Sequence, residues 1–198
     1  MQANRMKSIP FSGIRQVFED IAKRHEQGLT TIPFHIGRPD FDTPDHIKAA
    51  ASMALDSGVT AYTSNYGMPE LRQAIADKLK AENNMIVEPD KQIIVTIGVN
   101  EAVFMLMMAL LNPGDEVLAA DPMWPHYMHC ATMAGAKVIS VPIVDSNGFE
   151  LNPDDIEKRI TPKTKMLIIN SPNNPSGVVY SEETMRAIAA IVEKHGLI

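Results

Sequence analysis

The chain has 198 residues, 45% hydrophobic and 21% charged, a balance of folded globular proteins rather than disordered ones. Eighteen Lys and Arg against 24 Asp and Glu give a formal charge of −6, which argues against a nucleic-acid-binding surface. The longest unbroken apolar run, Ala102–Leu111, is about half of what a membrane-spanning helix needs. The N-terminal MQANRMKSIPFSG has no apolar signal core, and Cys130 is the single cysteine, so a reducing cytoplasmic location is expected. No internal repeat or low-complexity tract is present.

The first 90 residues read as helical and loop-rich. Ser12 is placed to cap a helix from about Ile14 to Gln27, with Ile14, Val17, Phe18 and Ile21 on one face. Thr43-Pro44 opens a second helix ending near Gly58, since Pro suits a first turn and Gly a C-terminal cap. Pro69-Glu70 opens a third, with Leu71, Ile75 and Leu79 at helical spacing.

Beyond residue 90 the texture changes to short apolar runs alternating with helical patterns. Gln92–Ile97, Glu116–Ala120, Lys137–Val141 and Lys165–Asn170 suit strands buried on both faces of a parallel sheet. Helices are expected over Asn100–Leu111, His126–Met133 and Pro153–Ile160, and over a last segment capped by Ser181 and running toward Lys194. The expected fold is therefore α/β: a mostly parallel sheet with flanking helices, preceded by a helical N-terminal segment.

In open parallel sheets, ligands bind beyond the carboxyl ends of the strands. After Ile97 come Gly98, Val99 and Asn100 at a helix start, a turn that offers backbone N–H groups and the positive end of a helix dipole to a phosphate. The three-glycine dinucleotide turn is absent, which disfavours a nicotinamide-dependent dehydrogenase. After the second run comes Asp121-Pro122-Met123-Trp124-Pro125. Trp124, the only tryptophan, is either a core or interface aromatic or a π-surface for an aromatic ligand. After the fourth run, Asn170–Gly177 forms a polar, proline-rich loop whose X-Pro bonds can be cis and whose amides can hydrogen-bond a ligand.

Taken in order, GRPDFDTP (37–44), YTSNYGMPELRQAIA (62–76), TIGVNEAV (96–103), NPGDEV (112–117), DPMWPHY (121–127) and NSPNNPSG (170–177) resemble the fold-type I class I/II aminotransferases. The resemblance implies pyridoxal 5′-phosphate as cofactor, and an amino acid and a 2-oxo acid as substrates. It also implies a homodimer, with no nucleic-acid or membrane partner. It places Gly37 beside the substrate carboxylate and lets Tyr62 reach the cofactor phosphate of a partner subunit. Val99 and Asn100 would give backbone N–H groups to the phosphate, and Trp124 would stack on the pyridine ring. Asn174 would hydrogen-bond the phenolic oxygen and help hold the substrate carboxylate, while Pro122 and Pro175 fall where the family often has cis peptides. Residues 1–45 would be an N-terminal arm and helix of the small domain, and 46–198 the first part of the cofactor-binding large domain. In the family's sheet order, the strand at Gln92–Ile97 is separated from the other three by strands supplied later in the chain.

The family's reactive lysine typically follows a serine by three residues, and no serine here has a lysine at that position. The Asp that pairs with the pyridinium nitrogen and the Arg that clamps the carboxylate likewise match nothing in these residues. No catalytic residue is therefore assigned, and the segment reads as the first half of an enzyme, inactive by itself. Two other readings remain open: a carbon–sulfur lyase of the same fold, and a non-catalytic chain binding a phosphorylated ligand or a partner. His126, His129 and Cys130 lack a fourth metal ligand, and Asp40 and Asp42 read as a loop leading to a capped helix.

Overall fold

The computed structural model describes residues 2–10, 13–32, 34 and 36–198, and only the backbone of residues 14 and 15. The chain divides into two units, Pro10–Thr96 and Met1–Ile9 with Ile97–Ile198.

The first unit is built of helices α1 (Gly13–Glu26), α2 (Asp45–Asp56), α3 (Pro69–Asn83) and the single turn α4 (Pro89–Gln92). The expected cap at Ser12 and the side chain of Ile14 lie outside the described residues. Of the rest of that face, Val17 and Phe18 stay exposed and Ile21 is half-buried. In α3 the buried stripe is turned by about one residue from the expected one. Arg72 and Ala76 are buried, with Ile75 and Leu79 half-buried, while Leu71 faces water. Pro69 at the first turn and Asn84 in the left-handed conformation bound the helix, as residues that fix φ or tolerate a positive one should.

The second unit contains α5 (Gly98–Leu110), β1 (Glu116–Asp121), α6 (Pro125–Met133), β2 (Lys137–Pro142), α7 (Pro153–Glu157), β3 (Thr164–Ile168) and α8 (Glu182–His195). The sheet order is β2-β1-β3, with both pairings parallel. Along β1 successive side chains alternate between faces. Val117 joins Met107, Leu111, Tyr127, Cys130, Ala131 and Met166 under α5 and α6. Leu118 and Ala120 join Val141, Leu151, Ile156, Leu167, Ile188 and Ile191 under α7 and α8. The sheet is thus covered on both sides, as a parallel sheet requires. Ser181 caps α8, its Oγ accepting from Thr184 N at 3.1 Å, and Asn152 caps α7 by accepting from Asp154 N at 2.9 Å.

The expected strand over Gln92–Ile97 does not form. Gln92 closes α4, and residues 93–96 run without a ladder; Val95 N donates to Tyr66 O at 3.0 Å. A strand is defined by a ladder to its neighbours, and among the described residues this segment joins no sheet. β3 differs, because its outer edge already has a partner. Ile198 N donates to Lys165 O at 3.0 Å and Leu167 N donates to Ile198 O at 2.8 Å, the two bonds a parallel neighbour makes around Met166.

Two predictions follow from this packing. Leu118, with no exposed surface at the centre of the middle strand, should cost about 2–5 kcal/mol on replacement by Ala, read from urea unfolding. The second concerns the tie between α7 and α8. Glu157 accepts from Lys194 at 2.5 Å with His195 at 3.4 Å, and first Lys194, then His195, hold its carboxyl below the ordinary glutamate value. A lowered folded value means this contribution is complete above the unfolded value and lost as pH falls through the folded one. Amide exchange in the last turn of α8 should quicken over that acid range, and Lys194→Met should flatten the dependence.

Candidate active site

The carboxyl ends of β1 and β3 leave the sheet at one edge because the strands are parallel neighbours. Beyond β1 the chain passes through a cis Asp121–Pro122 bond to Trp124, which immediately precedes Pro125 at the first turn of α6. Trp124 is half-buried. Its ring meets Tyr127 edge-on, with centroids 5.4 Å apart and planes at 89°, and packs against the cluster under α6. His126 stands beside it at 4.7 Å and 40°. The His126 Nε2 in turn lies 3.1 Å from the Asn100 carbonyl oxygen in the first turn of α5. A carbonyl can only accept, so Nε2 carries the proton; the same group lies 3.2 Å from Cys130 Sγ. Burial pushes the Cys130 thiol and the Tyr127 phenol up, so neither is an ionised nucleophile at neutral pH.

The start of α5 has the expected character of an anion seat. Gly98 takes φ +69°, and the N-cap residue, Ile97, makes no side-chain cap bond. Glu101 Oε2 accepts from Ile97 N at 2.5 Å, ahead of the turn, while the N–H groups of Val99 and Asn100 are first-turn donors with no acceptor within the helix and the helix dipole behind them. Val99 and Asn100 are exposed. Such a donor set fits a phosphate dianion.

Beyond β3, the loop 169–181 contains two further cis bonds, Ser171–Pro172 and Asn174–Pro175, so the expectation for Pro122 and Pro175 is met and Pro172 adds a third. The two neighbouring asparagines have opposite environments. Asn173 is buried, and its Nδ2 donates to Ser176 Oγ at 2.8 Å. Its backbone N–H donates to Val178 O at 2.8 Å, and its carbonyl accepts from Gly177 N at 2.7 Å. Ser171 Oγ accepts from Tyr180 N at 3.1 Å. Held by these bonds, the loop presents Asn174 exposed to solvent. The structure thus joins Asn100 and Trp124 through His126, and the Asn174 loop leaves the sheet at the edge that carries Trp124.

Gly37 and Tyr62 belong to the other unit and are exposed. The loop carrying Tyr62 is anchored beneath by Arg72, which sequence reasoning missed. Arg72 Nε donates to Gly67 O at 3.3 Å, and Nη1 donates to Pro89 O at 2.8 Å and Asp90 Oδ1 at 2.9 Å. A lone arginine one position off an apolar stripe carries no sequence signal of burial. Asp42, read above as part of a loop leading to a helix, pairs with Lys48 at 2.8 Å and accepts from Thr43 N at 2.7 Å, and first Lys48, then Thr43, hold its carboxyl below the ordinary range.

With this geometry in view, the sequence model described as aminotransferase class I and II matches residues 30–198, and the chain belongs to that family. It is 43% identical to an aspartate aminotransferase of Pyrococcus abyssi, covering 99% of this chain and 49% of the relative. It is 41% identical to a probable aspartate/prephenate aminotransferase of Thermus aquaticus, covering 98% and 50%. The crystal structure of Thermus thermophilus aspartate aminotransferase with maleate superposes on the whole chain with a TM-score of 0.94 at 38% identity, over 51% of that chain. The chain spans about half the length of the curated relatives it matches. Class I/II enzymes use pyridoxal phosphate.

Gly67 provides the test of the Tyr62 loop. It takes φ +95°, and a Cβ there would lie 2.6 Å from Val95 Cγ2. Gly67→Ala is expected to destabilise the unit by about 1–3 kcal/mol. Val95→Ala should recover the steric part and leave the backbone part, so a double-mutant cycle separates the two.

Proposed function

We propose that the protein carrying this chain is a pyridoxal-phosphate-dependent aminotransferase that moves an amino group between an amino acid and a 2-oxo acid. The observation that supports it most is the linkage of the first turn of α5 to Trp124 at the sheet edge from which the Asn174 loop also leaves. The fit is chemical: amides with a helix dipole for a phosphate, an indole for a pyridine ring, and a primary amide for a phenolic oxygen. When bound, the cofactor supplies an electron sink for charge developing at the substrate Cα.

The residues of this chain bind and orient. The Val99 and Asn100 N–H groups hold the phosphate, and Trp124 stacks on the ring. The Asn174 amide donates to the phenolic oxygen, lowering its basicity, and helps hold the substrate carboxylate. The Gly37 backbone lies beside that carboxylate. Tyr62 reaches the phosphate bound by a second subunit, so a homodimer is part of the proposal. The exposed apolar side chains of α2, Ile47, Met53 and Leu55, agree with a covered surface there.

We further assign residues 1–45 to the small domain and 46–198 to the large domain, and the protein to the cytoplasm; no helix among the described residues is long and apolar enough to cross a membrane. The names of the relatives make aspartate and aromatic amino acids the first donors to assay. Residues 1–198 by themselves are proposed to be inactive, since no lysine in them follows a serine by three positions.

The native protein should therefore show 2-oxo-acid-dependent transamination with added pyridoxal phosphate. Asn174→Ala should lower kcat/KM by roughly 10–100-fold through loss of a hydrogen bond to a charged oxygen, with little change in unfolding midpoint. Absence of transamination with every donor tested, or unchanged kcat/KM in Asn174→Ala, would refute the reading.

A further inference from the structure

His126 stands at the second position of α6 and yet makes its hydrogen bond across to α5, 26 residues earlier in the chain. Its Nε2–H donates to the Asn100 carbonyl, and its ring lies against the Trp124 indole with centroids 4.7 Å apart. The indole is therefore bounded by two partners in fixed geometry: Tyr127, buried and meeting it edge-on, and His126, tilted at 40°. Tyr127 is anchored in the core under α6, so it sets the height of the indole above the sheet. His126 alone of the two also touches the first turn of α5. The Asn100 carbonyl it holds belongs to the residue whose N–H faces the anion seat, so the same peptide segment is gripped at its oxygen and offered at its nitrogen.

We propose that His126 is a positioning residue that fixes the Trp124 ring relative to the first turn of α5, setting the spacing between the surface that stacks an aromatic ring and the amides that receive its phosphate. This rests on the reading of the site given above. The ring contact and the Nε2 contacts, to the Asn100 carbonyl and to Cys130 Sγ, use different parts of the side chain and can be removed separately. His126→Phe keeps a ring against the indole and removes the donor. His126→Gln keeps an N–H donor at the reach of Nε2 and removes the ring.

Trp124 is the only tryptophan in these 198 residues, so in the native protein the wild-type-minus-variant difference in emission and near-ultraviolet circular dichroism reports on this ring before any ligand is added. In the native protein without cofactor, His126→Gln should alter the indole band and raise quenching by a neutral solute, while His126→Phe should leave the band close to wild type. Affinity for pyridoxal 5′-phosphate, read by equilibrium dialysis, should fall roughly tenfold in His126→Phe, the effect of about one hydrogen bond. Inorganic phosphate, as competitor for the anion seat, should weaken by a similar factor in His126→Phe and stay near wild type in His126→Gln.

An indole band unchanged in both variants, or equal phosphate affinity in wild type and His126→Phe, overturns the proposal. If one variant loses its cooperative unfolding transition, the other still removes one contact and decides the matter. If the wild-type protein binds no pyridoxal phosphate, the aminotransferase reading falls, while the indole band of His126→Gln still decides whether His126 positions the ring.

Discussion

Parallel pairing of β1 with a strand on each side is the constraint on which the rest of the second unit depends. It sends the carboxyl ends of β1 and β3 out of the same edge, so the segments bearing Trp124 and Asn174 start as neighbours though they lie far apart in sequence. It also fixes register twice over, because Val117 and Leu118 belong to different cores on opposite faces. A slip of one residue would exchange those faces, placing each side chain in a cavity shaped for the other. The placement of Trp124, three residues beyond β1, is thereby tied to two apolar cores rather than to its own loop.

Above that frame, the loops are held mostly by polar side chains that turn inward. Asn173 grips Ser176 and both flanks of its turn, Arg72 gathers the carbonyls of Gly67 and Pro89, and Ser171 receives the Tyr180 amide. Each spares a backbone group the cost of burial without a partner. The groups assigned to ligand chemistry, Val99, Asn100, Asn174 and Tyr62, are by contrast exposed. Adjacent residues differ most plainly at Asn173 and Asn174, where one amide builds the loop and the next is exposed. Rigid support beneath an exposed polar group lets a short loop hold a precise geometry without apolar burial.

Much of this was legible in the sequence, and the reason is local. Pro69, Pro125 and Pro153 open helices because a fixed φ and a missing N–H are harmless in a first turn, and Ser181 caps α8 through its own hydroxyl. Three of four apolar runs are strands. The position of Trp124 followed from a strand end, a topological rule with few exceptions, whereas the turn at Gly98 was reached through an expected strand that does not form. What was not legible depends on tertiary partners. Arg72 is buried only because two carbonyls converge on it. His126 reads as an ordinary helical residue until α5 is placed beside α6. The asparagine doublet gives no sign of which amide turns inward.

The run at Gln92–Ile97 shows the same limit at the level of a whole element. Its composition, QIIVTI, is as apolar as KMLIIN, the run that gives β3, and more β-branched, so propensity by itself favours the run that fails to become a strand. Their environments separate them. β3 is bonded to β1 along one side, and on the other Ile198 makes both bonds of a parallel neighbour. Residues 93–96 have the Tyr66 carbonyl for Val95; Ile93 is buried, yet Ile94 is exposed, as is Ile97 beyond them. Burial of one isoleucine does not make a strand, because a ladder needs donors and acceptors at the spacing of a second chain segment. Extended backbone here is therefore set by the segment itself, while membership of a sheet is conferred from outside. That is why composition names the candidates for strands and the availability of neighbours chooses among them.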